Sequence, residues 1–185
     1  MPDAPRDRSI LRLAVCIYAP MGLAILWLKP PDLLRPTAWE PLAVGLGAAC
    51  GIGLLVILGG RVVSRHTGWG RALHRTMSEA LGPLRPATIL WLALLSAFGE
   101  ELLFRGVLHP RMGLWLGAAL FAAFHFPYRR VLLPWTAFTF GMGLLLGLLT
   151  DLSGSLWPAI LLHFMVNHIN LHDLAQAAAT HETEL

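Results

Sequence analysis

The sequence predicts an all-α membrane protein, a polytopic bundle of about six transmembrane helices. Three observations carry this. Of the 185 residues, 56% are apolar and only 14% charged, against roughly 45–50% and 25% in a soluble domain, so there is too little polar surface to coat a globule of this size in water. The apolar residues fall into runs at about 10–28, 41–60, 88–108, 113–127, 132–150 and 155–172, close to the ~20 residues that a spanning helix needs. Prolines and arginines punctuate most of the gaps. At this length about six spans fit with short loops, leaving no sizeable soluble domain.

The first run follows a basic start, Met1 to Arg12, and is apolar to Leu28. It has the basic and hydrophobic regions of a signal peptide but no small-x-small cleavage site after it, so it is read as a retained first span. Leu-Ala-Val-Cys16 has almost no hydrophobic segment before it and is not read as a lipoprotein signal. Pro30, Pro31, Pro36 and Pro41 separate the first two runs. Cys16 and Cys50 lie within apolar stretches, where a free cysteine behaves as a small hydrophobe. The segment 61–87 carries His66, Trp69, Leu73, His74, Met77 and Leu81 among its arginines, and reads equally as an interfacial amphipathic helix or a solvated basic connector. Pro83 and Pro86 precede the third run and Pro110 ends it. The fourth is short: it is tilted inside the bundle or continues past Pro127. The chain thus divides into 1–87, two helices and a basic loop; 88–172, a four-helix core; and 173–185, a short polar tail. Gly47 with Gly51 and Gly143 with Gly147 are spaced to let helix backbones approach closely.

Basic residues set the orientation. With the N-terminus inside, Arg6, Arg8, Arg12, Arg61, Arg65, Arg71, Arg75, Arg85, Arg129 and Arg130 are internal, against Lys29, Arg35 and Arg111 outside. Ten against three favours both termini in the cytoplasm. The same scatter of single basic residues at the ends of apolar runs argues against a nucleic-acid partner.

Three ionisable residues stand within one apolar run, Ser96-Ala-Phe-Gly-Glu100-Glu101-Leu-Leu-Phe-Arg105. Each costs roughly 2.5–3.5 kcal/mol at the centre of a spanning helix. Glu101 and Arg105 are four apart and can neutralise each other. Glu100 points about 100° away and needs a partner from another helix. The fourth run offers Phe121-Ala-Ala-Phe-His125, and the sixth His163-Phe-Met-Val-Asn167. At about 1.5 Å per residue, Glu100 lies roughly 18 Å from the inner face, His125 about 12 Å, His163 about 20 Å and Asn167 about 14 Å, so all four can meet in one pocket. A carboxylate coupled to an imidazole can take a proton from water, and His and Asn donors can stabilise an oxyanion. Glu and His also ligate zinc, but no HExxH is present and zinc leaves Asn167 unexplained.

The patterns EExxxR, FxxxH and HxxxN, in this order and each in an apolar run, resemble those of the CPBP family of intramembrane proteases, also called the ABI family, which includes CAAX-type prenyl-protein endopeptidases. The resemblance covers about 88–172. It implies a glutamate-dependent endopeptidase without metal or cofactor, acting on a membrane-anchored or lipidated protein in a bacterial inner membrane. Carried over, Glu100 and His125 activate water, His163 and Asn167 form the oxyanion site, and Glu101 and Arg105 orient Glu100. Processing of C-terminal sorting signals is the specific role it favours. Other members of the family are immunity proteins or scaffolds, which keeps a non-catalytic reading open, and a proton relay is the third.

Overall fold

Helix boundaries follow the prolines and glycines closely. The computed structural model describes residues 4–28, 32–36, 38–125 and 129–183; Lys29, Pro30, Pro31, Phe126 and Pro127 of the sequence argument lie outside them. Helix α1 spans Ala4–Leu28 and α2 Trp39–His66, with a single 3-10 turn at Asp32–Leu34 between them. Only Thr67 separates α2 from α3, Gly68–Leu81, and its hydroxyl caps α3 by accepting from the Gly70 amide at 3.0 Å. The 61–87 segment is therefore largely helical, as the amphipathic reading expects. Helix α4, Pro86–Glu101, begins on a proline, whose missing N–H costs nothing in a first turn. It runs into a π-helical turn at Leu102–Leu108 and on into α5, His109–Phe124. Helix α6 is Leu133–Ser153, closed by Gly154 at φ 61°, and α7 is Trp157–Thr183. The described residues contain no strand. An all-α membrane bundle is what the structure shows.

Four segments among the described residues are long and apolar enough to cross a membrane: Asp7–Trp27, Trp39–His66, Pro86–Phe124 and Arg130–Ser153. The third, at 39 residues, would be about 58 Å long if straight, twice the hydrocarbon core. It is instead folded back on itself at Gly113, whose φ of 77° only glycine adopts readily. Phe104 meets Phe121 and Phe124 edge-on at 5.0 and 5.5 Å, which requires the two arms to lie side by side. The runs at 88–108 and 113–127 are these two arms. Helix α7 is long enough to span but too polar to count with the four, because His163, Asn167 and His168 interrupt it.

The main core joins α2, α6 and α7 through Ala49, Ile57, Met142, Leu146, Ala159 and Leu162. One sequence expectation needs correction. Gly47 and Gly51 face open space, so their pair makes no helix contact; the close approaches of α2 are at Gly45, under Pro158, and Gly53, under Leu162 and Met165. Gly143 does behave as expected, with Ala118 of α5 only 3.0 Å from where a Cβ would stand. Helix α7 continues through 173–183, where Ala175 and Ala178, three apart on one face, are buried and extend the packing seam.

Candidate active site

Helix α4 packs against α7 on one side and α1 on the other. Gly99 makes the second contact possible: a Cβ there would stand 3.0 Å from Tyr18 Cδ1 and 3.2 Å from Met21 Cε. This close approach lets the Tyr18 hydroxyl donate to Glu100 Oε1 at 2.7 Å. Glu100 is buried, and its Oε2 has no hydrogen-bond partner among the described residues. Glu101, one residue on, is completely buried and faces α6 and α7. Its Oε1 accepts from Arg105 Nη1 at 2.9 Å and from His163 Nδ1 at 2.7 Å. Arg105 also donates to the Gly143 carbonyl at 3.2 Å and lies over the Phe121 ring, 4.3 Å from its centroid. The i,i+4 pair expected from the sequence therefore forms, but within a network that spans three helices and inside a widened π turn rather than a regular helix.

His125 ends α5. Its Nδ1 is 2.7 Å from the Phe121 carbonyl, and because a carbonyl can only accept, Nδ1 carries the hydrogen. The edge of Trp135 packs on the ring at 5.3 Å. His163 is fixed by the same logic, its Nδ1 donating to the Glu101 carboxylate. In the neutral rings both Nε2 atoms then carry lone pairs. They lie 3.7 Å and 3.9 Å from Glu100 Oε2. A carboxylate oxygen and two imidazole nitrogens thus converge without being bonded to one another.

The structure brings Glu100, Glu101, Arg105, His125 and His163 together as expected. Asn167 stands one turn beyond His163, and its amide donates to Ser96 Oγ at 3.0 Å instead of to any of these groups. Sequence reasoning missed Tyr18 and Ser96. Both were within reach of it: a tyrosine hydroxyl in an apolar run needs a partner, and Ser96 lies four residues before Glu100, on the same face of α4.

Residues 82–169 match the family model for type II CAAX prenyl endopeptidase Rce1-like proteins. That segment is similar to the Rce1-like family. The match contains all three motifs, from Glu100 to Asn167, and bears out the resemblance to the CPBP family. The uncharacterized protein YpbD of Bacillus subtilis (strain 168) is 41% identical over 83 residues, 44% of this chain and 42% of YpbD. The chain therefore matches less than half the length of this relative. No solved structure matches it. The matched segment holds every ionisable group of the cluster, while Tyr18 comes from α1, outside the match.

Proposed function

We propose that the chain is an intramembrane endopeptidase that hydrolyses a peptide bond of a membrane-associated protein, with Glu100 and His125 activating water. The observation that carries this is the convergence of Glu100 Oε2 with the Nε2 atoms of His125 and His163 at 3.7 and 3.9 Å. These separations exceed a hydrogen bond, yet a water oxygen placed to one side can stand about 2.8 Å from Glu100 and from either imidazole. Glu100 Oε2 and His125 Nε2 are both acceptors, so a water shared between them gives one hydrogen to each and turns its own lone pair outward. That is the geometry of general-base activation.

In the reaction, the water oxygen attacks the scissile carbonyl carbon as its proton passes to the Glu100–His125 pair. The tetrahedral oxyanion takes hydrogen bonds from His163 Nε2, which takes a proton from solvent before the cycle and keeps it throughout, and from the second amide hydrogen of Asn167, the first being held by Ser96. The C–N bond then breaks, and the leaving amine takes the proton from the same acid–base pair. The Glu101 carboxylate, on His163 Nδ1, fixes the ring and offsets the positive charge when Nε2 is protonated, as the carboxylate of a catalytic triad does. The Rce1-like match supports this chemistry and favours a CAAX-type or C-terminal sorting-signal substrate at the cytoplasmic membrane of a bacterium.

The test is a comparison of membrane proteins in cells expressing the wild type or Glu100→Gln at equal level. One or more membrane-anchored proteins should accumulate uncleaved in the variant, and cleavage of that protein by the purified enzyme should survive EDTA. Unchanged processing with Glu100→Gln would leave the scaffold or immunity reading in its place. Loss of cleavage in EDTA that zinc restores would replace the metal-free mechanism.

A further inference from the structure

About 15 Å along α7 from His163, where α2, α3 and α7 come together, the surface opens into a groove of about 1010 Å³. Four arginines line it, Arg61, Arg65, Arg71 and Arg75, together with His74, against the single carboxylate of Asp173. That carboxylate is already spent: Arg61 holds it through Nε at 2.8 Å and Nη2 at 3.0 Å. Arg75 is paired to Glu79 on the outer face of α3 at 2.7 Å. Arg71 reaches back to the Arg65 carbonyl at 2.9 Å, which draws it across the end of α2. The Arg65 guanidinium bonds to no described residue, and Arg71 keeps one of its terminal nitrogens and its Nε free among them. Two exposed guanidinium groups therefore line one concave site without an acidic partner among the described residues.

The position of the groove says what fills it. Arg61 and Arg65 occupy the last turns of the membrane-spanning α2. The strongly amphipathic α3 begins two residues beyond that helix and presents Trp69, 52% exposed, at the same level. Tryptophan beside arginine at the end of a span is the signature of the headgroup layer. A ligand at this depth comes from the bilayer, and the arginine fork matches phosphate oxygens.

We infer that the α2–α3–α7 groove binds the phosphate headgroup of an anionic phospholipid, with Arg65 and Arg71 as its principal ligands. The site is separate from the Glu100 cluster and does not depend on catalysis. Bound there, the lipid ties the end of α2 to α3, which in turn packs on the 3-10 turn at Arg130–Leu132 that leads into α6.

The experiment is native mass spectrometry of the detergent-purified full chain, titrated with phosphatidylglycerol and with phosphatidylcholine of the same acyl chains. Glycerol phosphate is added as a soluble competitor. The first copy of phosphatidylglycerol should bind at least tenfold more tightly than phosphatidylcholine. Each near-surface arginine is worth about 1 kcal/mol toward an anionic headgroup, roughly fivefold in Kd. Arg65→Gln with Arg71→Gln should therefore weaken phosphatidylglycerol roughly 25-fold and phosphatidylcholine, whose choline already offsets its phosphate charge, much less, and Arg65→Gln alone should give about a fifth of the phosphatidylglycerol effect. Both side chains are exposed, so neither change removes core packing. Equal affinity for the two lipids, or an unaltered preference in the variants, overturns the proposal. Displacement of phosphatidylglycerol by an equal concentration of glycerol phosphate overturns it in favour of a soluble anion.

Discussion

Arg105→Met tests whether the buried charges act as one unit. Arg105 is 2% exposed and Glu101 0%, so removing the guanidinium leaves a carboxylate in the interior with His163 as its one remaining partner. Three interactions go at once: the 2.9 Å bond to Glu101, the 3.2 Å bond to the Gly143 carbonyl and the contact over Phe121 at 4.3 Å. Breaking a buried pair from one side costs about 3–5 kcal/mol, most of it the penalty of the abandoned charge. The methionine fills the volume of the arginine stem, so cavity terms stay small. Glu101→Gln abandons the arginine in the same way. In the double variant neither charge remains, so its loss should fall short of the sum of the single losses by at least about 2 kcal/mol. Unfolding by SDS titration in mixed micelles, followed through the seven tryptophans, measures all four corners of the cycle. Additivity within about 0.5 kcal/mol, or a cost below about 1 kcal/mol for Arg105→Met, would refute the network and leave the two groups as independent packing elements.

Tyr18→Phe removes one hydrogen bond to the Glu100 carboxylate and nothing else, so kcat should fall about 10- to 100-fold with KM and unfolding midpoint near the wild type, as the free energy of a bond to a charged group requires. An equal rise in KM would assign Tyr18 to substrate binding instead. Gly143→Ala should destabilise by about 1–3 kcal/mol, because the new methyl meets Ala118 at 3.0 Å, whereas Gly51→Ala, facing open space, should stabilise by up to about 1 kcal/mol through helix propensity; SDS unfolding reads both signs. Ser96→Ala should lower kcat in step with Asn167→Ala, since each removes the same 3.0 Å bond, and the double variant should be no worse than Asn167→Ala alone.

What the sequence made legible was the polar side chains of the cluster and their depth, because both are local. Three charges in one apolar run, and histidines at matching distances from the ends of two others, bring Glu100, His125 and His163 to one level before any helix is packed. What stayed hidden depends on helix rotation and backbone path. Gly47 and Gly51 have the same spacing as Gly143 and Gly147, yet only the latter pair faces a neighbour, because which side of α2 turns inward is decided by Pro158, Leu162 and Met165 on α7. The π turn at Leu102–Leu108 has no signature in its composition, and the reversal at Gly113 looks in sequence like one more glycine. That the Tyr18 hydroxyl needs a partner is legible, but that the partner is Glu100 is not: their register is set by the contact at Gly99, across 82 positions of chain.

The two glutamates are unequally satisfied, and that difference supports the proposed role of Glu100 as the group that acts on water. Each has an Oε2 without a hydrogen-bond partner among the described residues. Glu101 offsets this through two donors on its other oxygen, the Arg105 guanidinium and the His163 ring, so the guanidinium neutralises its negative charge in place. Glu100 receives a single neutral hydroxyl, from Tyr18, and its bare oxygen faces two imidazoles that the Phe121 carbonyl and the Glu101 carboxylate have turned lone-pair inward. A bundle built for stability alone has no use for that arrangement, since an unsatisfied buried acceptor costs about 1–3 kcal/mol, and more when charged. The backbone pays a further cost to complete it. The arm that carries His125, from Leu114 to Phe124, is 11 residues or about 16 Å long, so it stops half-way through a core of about 30 Å. The free carbonyl of His125 is then capped by the Thr136 hydroxyl at 3.1 Å, which is how a helix end is tolerated at that depth. Full-length helices would have been simpler, and they would have carried the imidazole past Glu100.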